Sequence, residues 1–503
     1  MERIPGVSEA EWNALPTAIR VFIELRITQL ETENAELRAR CAALEARVSQ
    51  LEAQVAKNST NSHKPPSSDG PGKPPRTQSS RVSSGKKPGG QSGHSGSTLK
   101  KRADPDQRIR HRVGKCSGCR RDLSNHRPDE VVERQVFDLP PMSLTCIAHE
   151  AEIKHCPDCG VCNKAPWPEP LASSTGAAIY GPGVRAIGVY LVNEQLVPGK
   201  RTSQVLEDLF GQRISSGTLT NWGIKAADTL EATDEEIAAA LSGDLGCVHF
   251  DETGIRSEGK NHWLHSASNE KLTHYEVHVR RGTEAIEAIG ILPGFKGTAI
   301  HDRWEPYFGY TKCRHGICGA HLVRDLRFVW EAEEEKWAKN MRRLLYKIND
   351  AVKAAKELGQ SRFNGATIEY WRDRYRRLLN TGFVLHRKLD RSFGKVAKTR
   401  SRGRKKQRPG KNLLDALQKH EASVLLFLTD FTVPFTNNQG ERDIRMTKVK
   451  LKVSGCFRSR SGADRFCRIR GYISTAKKQG WNVLATITSV FQNAPFKPAF
   501  AGI

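Results

Sequence analysis

No stretch of this sequence approaches the ~18–20 consecutive apolar residues that a membrane-spanning helix needs, so no spanning helix is expected. The opening Met1-Glu2-Arg3-Ile4-Pro5-Gly6 has no apolar h-region, so no signal peptide is expected either. Acid is scarce. Against 80 Lys and Arg stand 55 Asp and Glu, a net charge of +25 with pI about 9.7. That imbalance points to a polyanionic partner, nucleic acid ahead of an anionic membrane surface. A disulfide framework has little support. The 12 cysteines are unevenly spread, some in close pairs, which without a secretory signal indicates metal more than disulfides. With 503 residues there is room for several domains and at least one sizeable core.

What is present begins with a heptad over residues 23–57. Ile27, Asn34, Cys41, Val48 and Val55 fall at a, and Leu30, Leu37, Leu44 and Leu51 at d. In a parallel pair each g position faces the e position five residues later on the other helix. Those pairs are Arg26–Glu31, Glu33–Arg38, Arg40–Glu45 and Arg47–Glu52, all opposite in sign. Each contributes only a few tenths of a kcal/mol, but together they select orientation. Asn34 costs stability at its a position and sets register. A coiled coil over 19–57, pairing as a parallel homodimer through 23–57, is therefore expected; a lone amphipathic helix packed on its own domain is the bland alternative.

A Ser-, Gly-, Pro- and Lys-rich linker follows, assigned to 58–104. Residues 57–103 hold ten Lys and Arg and one acid, Asp69. This composition cannot bury enough apolar area to offset chain entropy, so disorder and non-specific phosphate contact are expected. A zinc-ribbon-like module is expected over 105–165. Cys116-x-x-Cys119 and Cys156-x-x-Cys159, with expected strands Val131–Leu139 and Leu144–Ile153 between the two pairs, would place four thiolates around structural Zn2+. Cys162, Cys146 and His155 are spare ligands, and unligated cysteines remain the plain alternative. Over 178–235 a helix-turn-helix is expected: Pro182–Leu196, then Thr202–Phe210, a turn at Gly211, a cap at Ser215 or Ser216, and Gly217–Leu230. Thr218, Thr220, Asn221 and Lys225 would face the major groove, with Lys200 and Arg201 near phosphate. Ordinary helical packing would explain the same pattern.

The chemistry is sought in three acids. Cys247-Val248-His249-Phe250 reads as a buried strand ending at Asp251. Trp263–Ala267 and Leu272–Val277 read as a hairpin, Thr283–Ile291 as a helix, and Gly297–Ile300 as a short strand ending at Asp302. Three strands, a helix and a fourth strand follow the order of an RNase H-like sheet. If the first and fourth strands are neighbours, their acids converge. Glu441, opening a helix over Glu441–Lys450, would close the site. Three carboxylates suit Mg2+ (or Mn2+), which takes hard oxygen ligands. Two such ions ~3.5–4 Å apart clamp an in-line phosphoryl displacement. Each acid alone reads as a turn or cap residue. Glu252 could replace Asp251, and Glu305 or Asp443 the others. The helix also carries Arg442 and Arg445, placed to neutralise phosphate.

Between Asp302 and Glu441 lie 138 residues. Helices are expected over Ala332–Leu358, Thr367–Asn380 and Leu413–Leu428. Residues 387–411, with twelve Lys and Arg and one acid, read as a phosphate-binding arm or a solvated loop. Cys318-x-x-His321 offers few metal ligands, so a structural or DNA-contacting role is favoured over zinc. Phe491 onward reads as a tail.

Several motifs together resemble a known family. They are Asn58–Asp69 with Lys64-Pro65-Pro66-Ser67-Ser68-Asp69, the cysteine pairs, Tyr180-Gly181-Pro182-Gly183, Asp251-Glu252-Thr253, His301-Asp302-Arg303-Trp304, and Thr436-Asn437-Asn438-Gln439-Gly440-Glu441-Arg442. The sequence resembles the bacterial insertion-sequence transposases of the IS sixty-six family. The resemblance implies a DDE triad of Asp251, Asp302 and Glu441, Mg2+, DNA transposition, and companion proteins of the same element. The expected α/β architecture is then an RNase H-like core (240–330, completed by 431–503) carrying a mainly helical insertion (331–430). The coiled coil, zinc-ribbon-like module and helix-turn-helix precede it. The expected activity is cleavage of element ends and strand transfer into target DNA, in a cytoplasmic, nucleoid-associated setting. A catalytically inactive DNA-binding regulator is the second reading.

Overall fold

The computed structural model describes residues 8–55, 57, 61, 99–140, 142–168, 171–172, 176–392 and 407–500. Two compact units divide the chain. One comprises Met1–Pro75, Gly176–Thr202 and Ser215–Ile503; the other comprises Arg76–Thr175 and Ser203–Ile214. No described helix is long and apolar enough to cross a membrane.

The first helix, α1 (Glu9–Ala14), starts with a capping box in which Ser8 and Glu11 satisfy each other's backbone N–H groups. Then α2 (Thr17–Val55) runs unbroken for 39 residues, as the heptad requires. Its d-position leucines, Leu30, Leu37, Leu44 and Leu51, stay 44–62 % exposed in the single chain. Most of the 58–104 linker and its Lys-Pro-Pro-Ser-Ser-Asp motif lie outside the described residues.

In the second unit the two expected long strands are not formed. Residues 131–139 carry no strand, and Val131, Val132, Val136 and Leu139 are exposed. A β-rich composition does not make a strand where no neighbouring strand takes up its hydrogen bonds. The hairpin lies further on: β1 (Ile153–His155) pairs antiparallel with β2 (Cys162–Lys164), around the second cysteine pair.

The helices that follow are α3 (Pro182–Val189), α4 (Gly199–Phe210), α5 (Ser216–Thr229) and α6 (Glu231–Gly243). The expected single helix to Leu196 ends earlier. It passes into a π-turn over Tyr190–Glu194, closed by Gln195 N–H to the Tyr190 carbonyl, and Leu196 takes a left-handed φ of 58°. The turn lets buried Glu194 pair with Arg470 and Lys477. Ser215 is the N-cap of α5, accepting from Thr218 N–H at 3.0 Å.

A five-stranded mixed sheet comes next. Its strands are β3 (Cys247–Ser257), β4 (Lys260–Ser268), β5 (Thr273–His278), β6 (Thr298–His301) and β7 (Arg314–Ile317), with α7 (Thr283–Ile289) and α8 (Ile291–Gly294) between β5 and β6. The spatial order is β5-β4-β3-β6-β7. The first three strands are antiparallel, while β3–β6 and β6–β7 are parallel. Two expectations change. The first strand does not stop at Asp251 but runs to Ser257, because β4 keeps pairing with it through the Ser257–Lys260 hairpin. And Arg314–Ile317, for which no strand was expected, forms the fifth strand.

Six helices follow: α9 (Gly319–Glu333), α10 (Lys336–Glu357), α11 (Gly365–Ser392), α12 (Pro409–Lys419), α13 (Glu421–Val424) and α14 (Leu426–Thr429). They bury their own core around Trp337, Met341, Leu345, Tyr375 and Leu414. Of the expected helices, α10 is shorter than Ala332–Leu358, α11 runs twelve residues past Asn380, Leu413–Leu428 is broken into α12, α13 and α14, and α9 was not anticipated. The basic segment 393–406 lies outside the described residues. The described chain closes with α15 (Asn438–Ser454), α16 (Arg460–Lys478) and α17 (Val483–Phe491), so the expected tail begins where α17 ends.

Apolar alternation sets the two faces of the sheet. Val248, Phe250 and Ala299 pack with Ile237, Leu241, Ile286 and Phe295 of the α6–α8 side. Ile255, Leu264, Tyr275 and Val277 pack with Ile444, Ala463 and Phe466 of α15 and α16. On β5, buried His274 meets Asp234 of α6 at 3.1 Å and Glu276 at 3.5 Å, and Arg468 lies 3.9 Å from Asp234. Burial alone would lower the imidazole's pKa, but the two carboxylates outweigh it and raise it to about 9. The stabilisation from this charge is complete below the unfolded value near 6.5 and is lost as pH rises through about 9. In urea unfolding, the stability advantage of wild type over His274→Gln is expected to shrink between those pH values, by on the order of 2 kcal/mol. A pH-independent difference would refute the charged pair.

Candidate active site

The parallel register explains why two acids 51 residues apart become neighbours. Cys247 lies opposite Thr298, Val248 opposite Ala299 and His249 opposite Ile300. One pair further the register reaches Phe250 and His301; the next is Asp251 and Asp302. On the other side His301 lies opposite Ile317, so Asp302 is followed across the sheet by Cys318. The three residues form a row where β6 and β7 stop. Alternation turns Phe250 and Glu252 toward the α6–α8 side and His249 and Asp251 toward α15.

Asp251 is the most perturbed acid here. Burial first, then the charge of Glu252, raises its pKa to about 8; Asp302 adds to the rise and Lys448 opposes it. Asp251 Oδ1 accepts from Glu252 N–H at 3.0 Å, and Asp302 Oδ1 from Trp304 N–H at 3.1 Å. Glu441 sits in the first turn of α15. Its Oε1 lies 3.9 Å from His321 Nε2 and 3.8 Å from Arg324 Nη2. That oxygen is buried and accepts no hydrogen bond. The three carboxylates are not all within 4.8 Å of one another. Among the described residues, the potential ligand set that close is Cys318, His321 and Glu441. Burial pushes the Cys318 thiol up to about 11, and its Sγ accepts the Asn437 N–H at 3.1 Å. The Cys318 sulfur thus serves as a hydrogen-bond acceptor for the turn ahead of Glu441.

The alternative acids are committed elsewhere. Glu252 is sealed in, its side chain 1 % exposed. Its Oε1 accepts from Arg281 Nε at 2.9 Å and Nη2 at 2.6 Å, and its Oε2 from Tyr307 Oη at 2.5 Å. Glu305 pairs with Lys419, and Asp443 with Lys478 at 2.8 Å. The Arg281 guanidinium also lies 4.9 Å from the Trp263 ring and 4.2 Å from the Trp304 ring. This brace of Glu252, Arg281, Tyr307 and two tryptophans was missed in the sequence. The signal was there in Trp304, directly after His301-Asp302-Arg303. Arg324 was missed too, one turn of α9 beyond His321.

The expected DNA-contacting residues are mostly open. Thr220, Asn221 and Lys225 are exposed on α5, and Arg442 and Arg445 on α15. Thr218 is half-buried and its hydroxyl lies 2.9 Å from that of Ser215, while Thr220 donates to the Ser216 carbonyl at 2.9 Å. Both threonine hydroxyls thus serve the helix itself. Opposite them, Leu219, Trp222, Ala226 and Ala227 are buried.

The two cysteine pairs adopt the same turn. Cys116 N–H donates to Arg121 O and Arg120 N–H to Cys116 O; Cys156 N–H donates to Val161 O and Gly160 N–H to Cys156 O. Arg120 and Gly160 both have positive φ, 62° and 73°. In each turn backbone N–H groups, Cys119 and Gly118 or Cys159 and Asp158, hold the first thiol below its ordinary range. The described structure does not gather three of the four sulfurs within 4.8 Å.

Two acids thus lie where the parallel strands β6 and β7 stop, beside a helix, α15, rich in Lys and Arg. The profile of the Transposase IS66 family matches residues 177–465, more than half of the chain. The chain belongs to this family of transposases. The profile of a family of unknown function, DUF6444, matches residues 21–100. A search of curated proteins finds no match.

Removing one member of a buried ion pair leaves the other charge uncompensated. Arg281→Met is therefore expected to destabilise the fold by on the order of 3 kcal/mol in chemical denaturation. An unchanged midpoint would show that Glu252 does not depend on Arg281.

Proposed function

We propose that this transposase cleaves the ends of its insertion element and joins them to target DNA by metal-dependent in-line phosphoryl transfer. Asp251, Asp302 and Glu441 would be its catalytic acids. What supports the reading is the parallel pairing of β3 with β6, whose last pair, His249 and Ile300, lies two residues before Asp251 and Asp302. The strand order β5-β4-β3-β6-β7, antiparallel then parallel, supports an RNase H-like core over 240–330, completed by 431–503. The helical segment 331–430 reads as an insertion into it.

The donor set suits Mg2+ or Mn2+: three hard carboxylates, one with a buried oxygen that accepts no hydrogen bond. Two ions ~3.5–4 Å apart would not require the outer acids to touch. When bound, such ions supply Lewis acidity to the scissile phosphate and lower the pKa of water. Asp251 must lose its proton to serve as a ligand, so its carboxylate gains from the nearby Lys448. Arg324, 3.8 Å from Glu441, and exposed Arg442 and Arg445 are set to hold the phosphodiester. Substitution of each acid, Asp251→Asn, Asp302→Asn or Glu441→Gln, is expected to lower cleavage of labelled element ends by at least ~10³-fold. Cleavage that survives Asp302→Asn would leave a DNA-binding protein whose activity lies elsewhere.

The remaining modules serve DNA handling. The half-exposed leucine stripe of α2 supports a parallel homodimer through 23–57, suited to two DNA ends. The matched cysteine turns support structural Zn2+ on Cys116, Cys119, Cys156 and Cys159. Helix α5 presents Thr218, Thr220, Asn221 and Lys225 toward DNA in a helix-turn-helix over 178–235, the exposed Asn221 and Lys225 carrying most of the contact. Companion proteins of the element would join at steps this chain does not perform.

Three measurements separate these parts. Leu37→Asp with Leu44→Asp should give a monomer in light scattering. Cys119→Ser with Cys159→Ser should remove one zinc per chain by elemental analysis. Asn221→Ala with Lys225→Ala should weaken end binding and flatten its salt dependence. A dimer, an unchanged zinc content or an unchanged affinity would each overturn the corresponding assignment.

A further inference from the structure

Asn437 is 1 % exposed, yet every polar group it offers is engaged. Its side-chain nitrogen donates to the Phe250 carbonyl at 2.9 Å. Its side-chain oxygen lies 2.7 Å from His249 Nδ1. A carbonyl can only accept, so the amide nitrogen faces Phe250 and the amide oxygen faces the imidazole. His249 must then carry its proton on Nδ1; burial, which lowers its pKa, keeps the ring neutral. The backbone N–H of Asn437 donates to Cys318 Sγ at 3.1 Å, and its carbonyl accepts from Glu441 N–H at 3.1 Å.

These bonds join the backbones of all three proposed acids. Phe250 directly precedes Asp251. Cys318 N–H bonds the carbonyl of His301 at 2.9 Å, and His301 directly precedes Asp302. Glu441 hangs from Asn437 by the first turn of α15. One buried residue thus connects chain segments otherwise 51 and 190 residues from Asp251 in sequence. The neighbouring glycines make room for it. A Cβ on Gly440 would lie 2.9 Å from Asn437 Oδ1. A Cβ on Gly319 would lie 2.4 Å from the Phe435 ring, at the point where Gly319 N–H bonds the Phe435 carbonyl at 2.8 Å.

We propose that Asn437 is a positioning residue that holds the Glu441 helix in register with Asp251 and Asp302, with Cys318 as its second anchor. This rests on the three acids being the metal ligands. The polar groups of Asn437 bond protein groups, so it would act on the site by fixing where the acids stand. A shift of about 1 Å in such a group costs on the order of 10²-fold in rate, and losing an outer-shell orienting group costs about 10–100-fold in metal affinity.

The test compares wild type, Asn437→Ala, Gly440→Ala, Cys318→Ala, Cys318→Ser and Asp302→Asn as full-length protein. Each is measured for thermal unfolding, element-end binding without metal, Mn2+ binding by electron paramagnetic resonance, and cleavage against Mg2+ concentration. Asn437→Ala is expected to bind DNA ends within about 2-fold of wild type. Its Mn2+ affinity should fall about 10-fold or more, and its cleavage about 100-fold. Gly440→Ala, which keeps the amide but crowds it, should move in the same direction. Cys318→Ser, whose hydroxyl can still accept the Asn437 N–H, should recover part of what Cys318→Ala loses.

If Asn437→Ala and Gly440→Ala keep wild-type Mn2+ affinity while Asp302→Asn loses it, the positioning role is wrong and the metal site stands. If Asp302→Asn also keeps wild-type Mn2+ affinity, the metal-site reading fails first. Should Asn437→Ala fail to fold, the Gly440 and Cys318 variants decide alone. A loss of DNA binding and metal binding in equal proportion across them would mean a merely structural role.

Discussion

The acidic edge depends on the parallel pairing of β3 with β6. Parallel strands cannot be joined by a tight turn. The chain therefore leaves β3 through the β4 and β5 hairpins and the short helices α7 and α8, then returns beside its starting strand. The register of that return brings Asp251 level with Asp302. A slip of one residue would turn Asp251 or Asp302 to the opposite face of the sheet. Apolar alternation guards against the slip, since Val248, Phe250 and Ala299 must all enter the same core.

Placing carboxylates so close together in a partly buried edge is unfavourable, and the surroundings show how it is managed. Glu252 is neutralised by Arg281 and hydrogen-bonded by Tyr307, so it behaves as a fixed internal charge. Asp251 has no such partner and responds by holding its proton. Two adjacent acids on one strand thus have opposite fates because alternation sends them to opposite faces. The one wedged between Arg281 and Tyr307 braces the sheet, and the one facing α15 remains available for a cation.

The elements that carry the three proposed acids were legible in sequence, for local reasons. Asp251 follows a continuous apolar run, Asp302 follows a second, and Glu441 opens a charged helix after a turn. The heptad of α2 and the cysteine pairs were readable because their spacing is the signal. Other features were not legible. β7 is only four residues long and edge-placed, so Arg314–Ile317 has no periodicity to read. The strands expected at Val131–Leu139 and Leu144–Ile153 are not formed, apart from Ile153, which opens β1. The π-turn over Tyr190–Glu194 exists to serve the burial of Glu194 against Arg470, nearly three hundred residues away in sequence.

What the sequence by itself determined is composition, periodicity and spacing. These were enough for the cationic character, the long helix α2, the strands that lead up to Asp251 and Asp302, and the family. Tertiary structure decided which acid does what. Glu252 and Asp251 are chemically near-identical neighbours until Arg281, Tyr307 and Asn437 arrive from distant segments. Hydrogen bonds and desolvation act over a few ångströms, and no local pattern reports which far residues will come within that range.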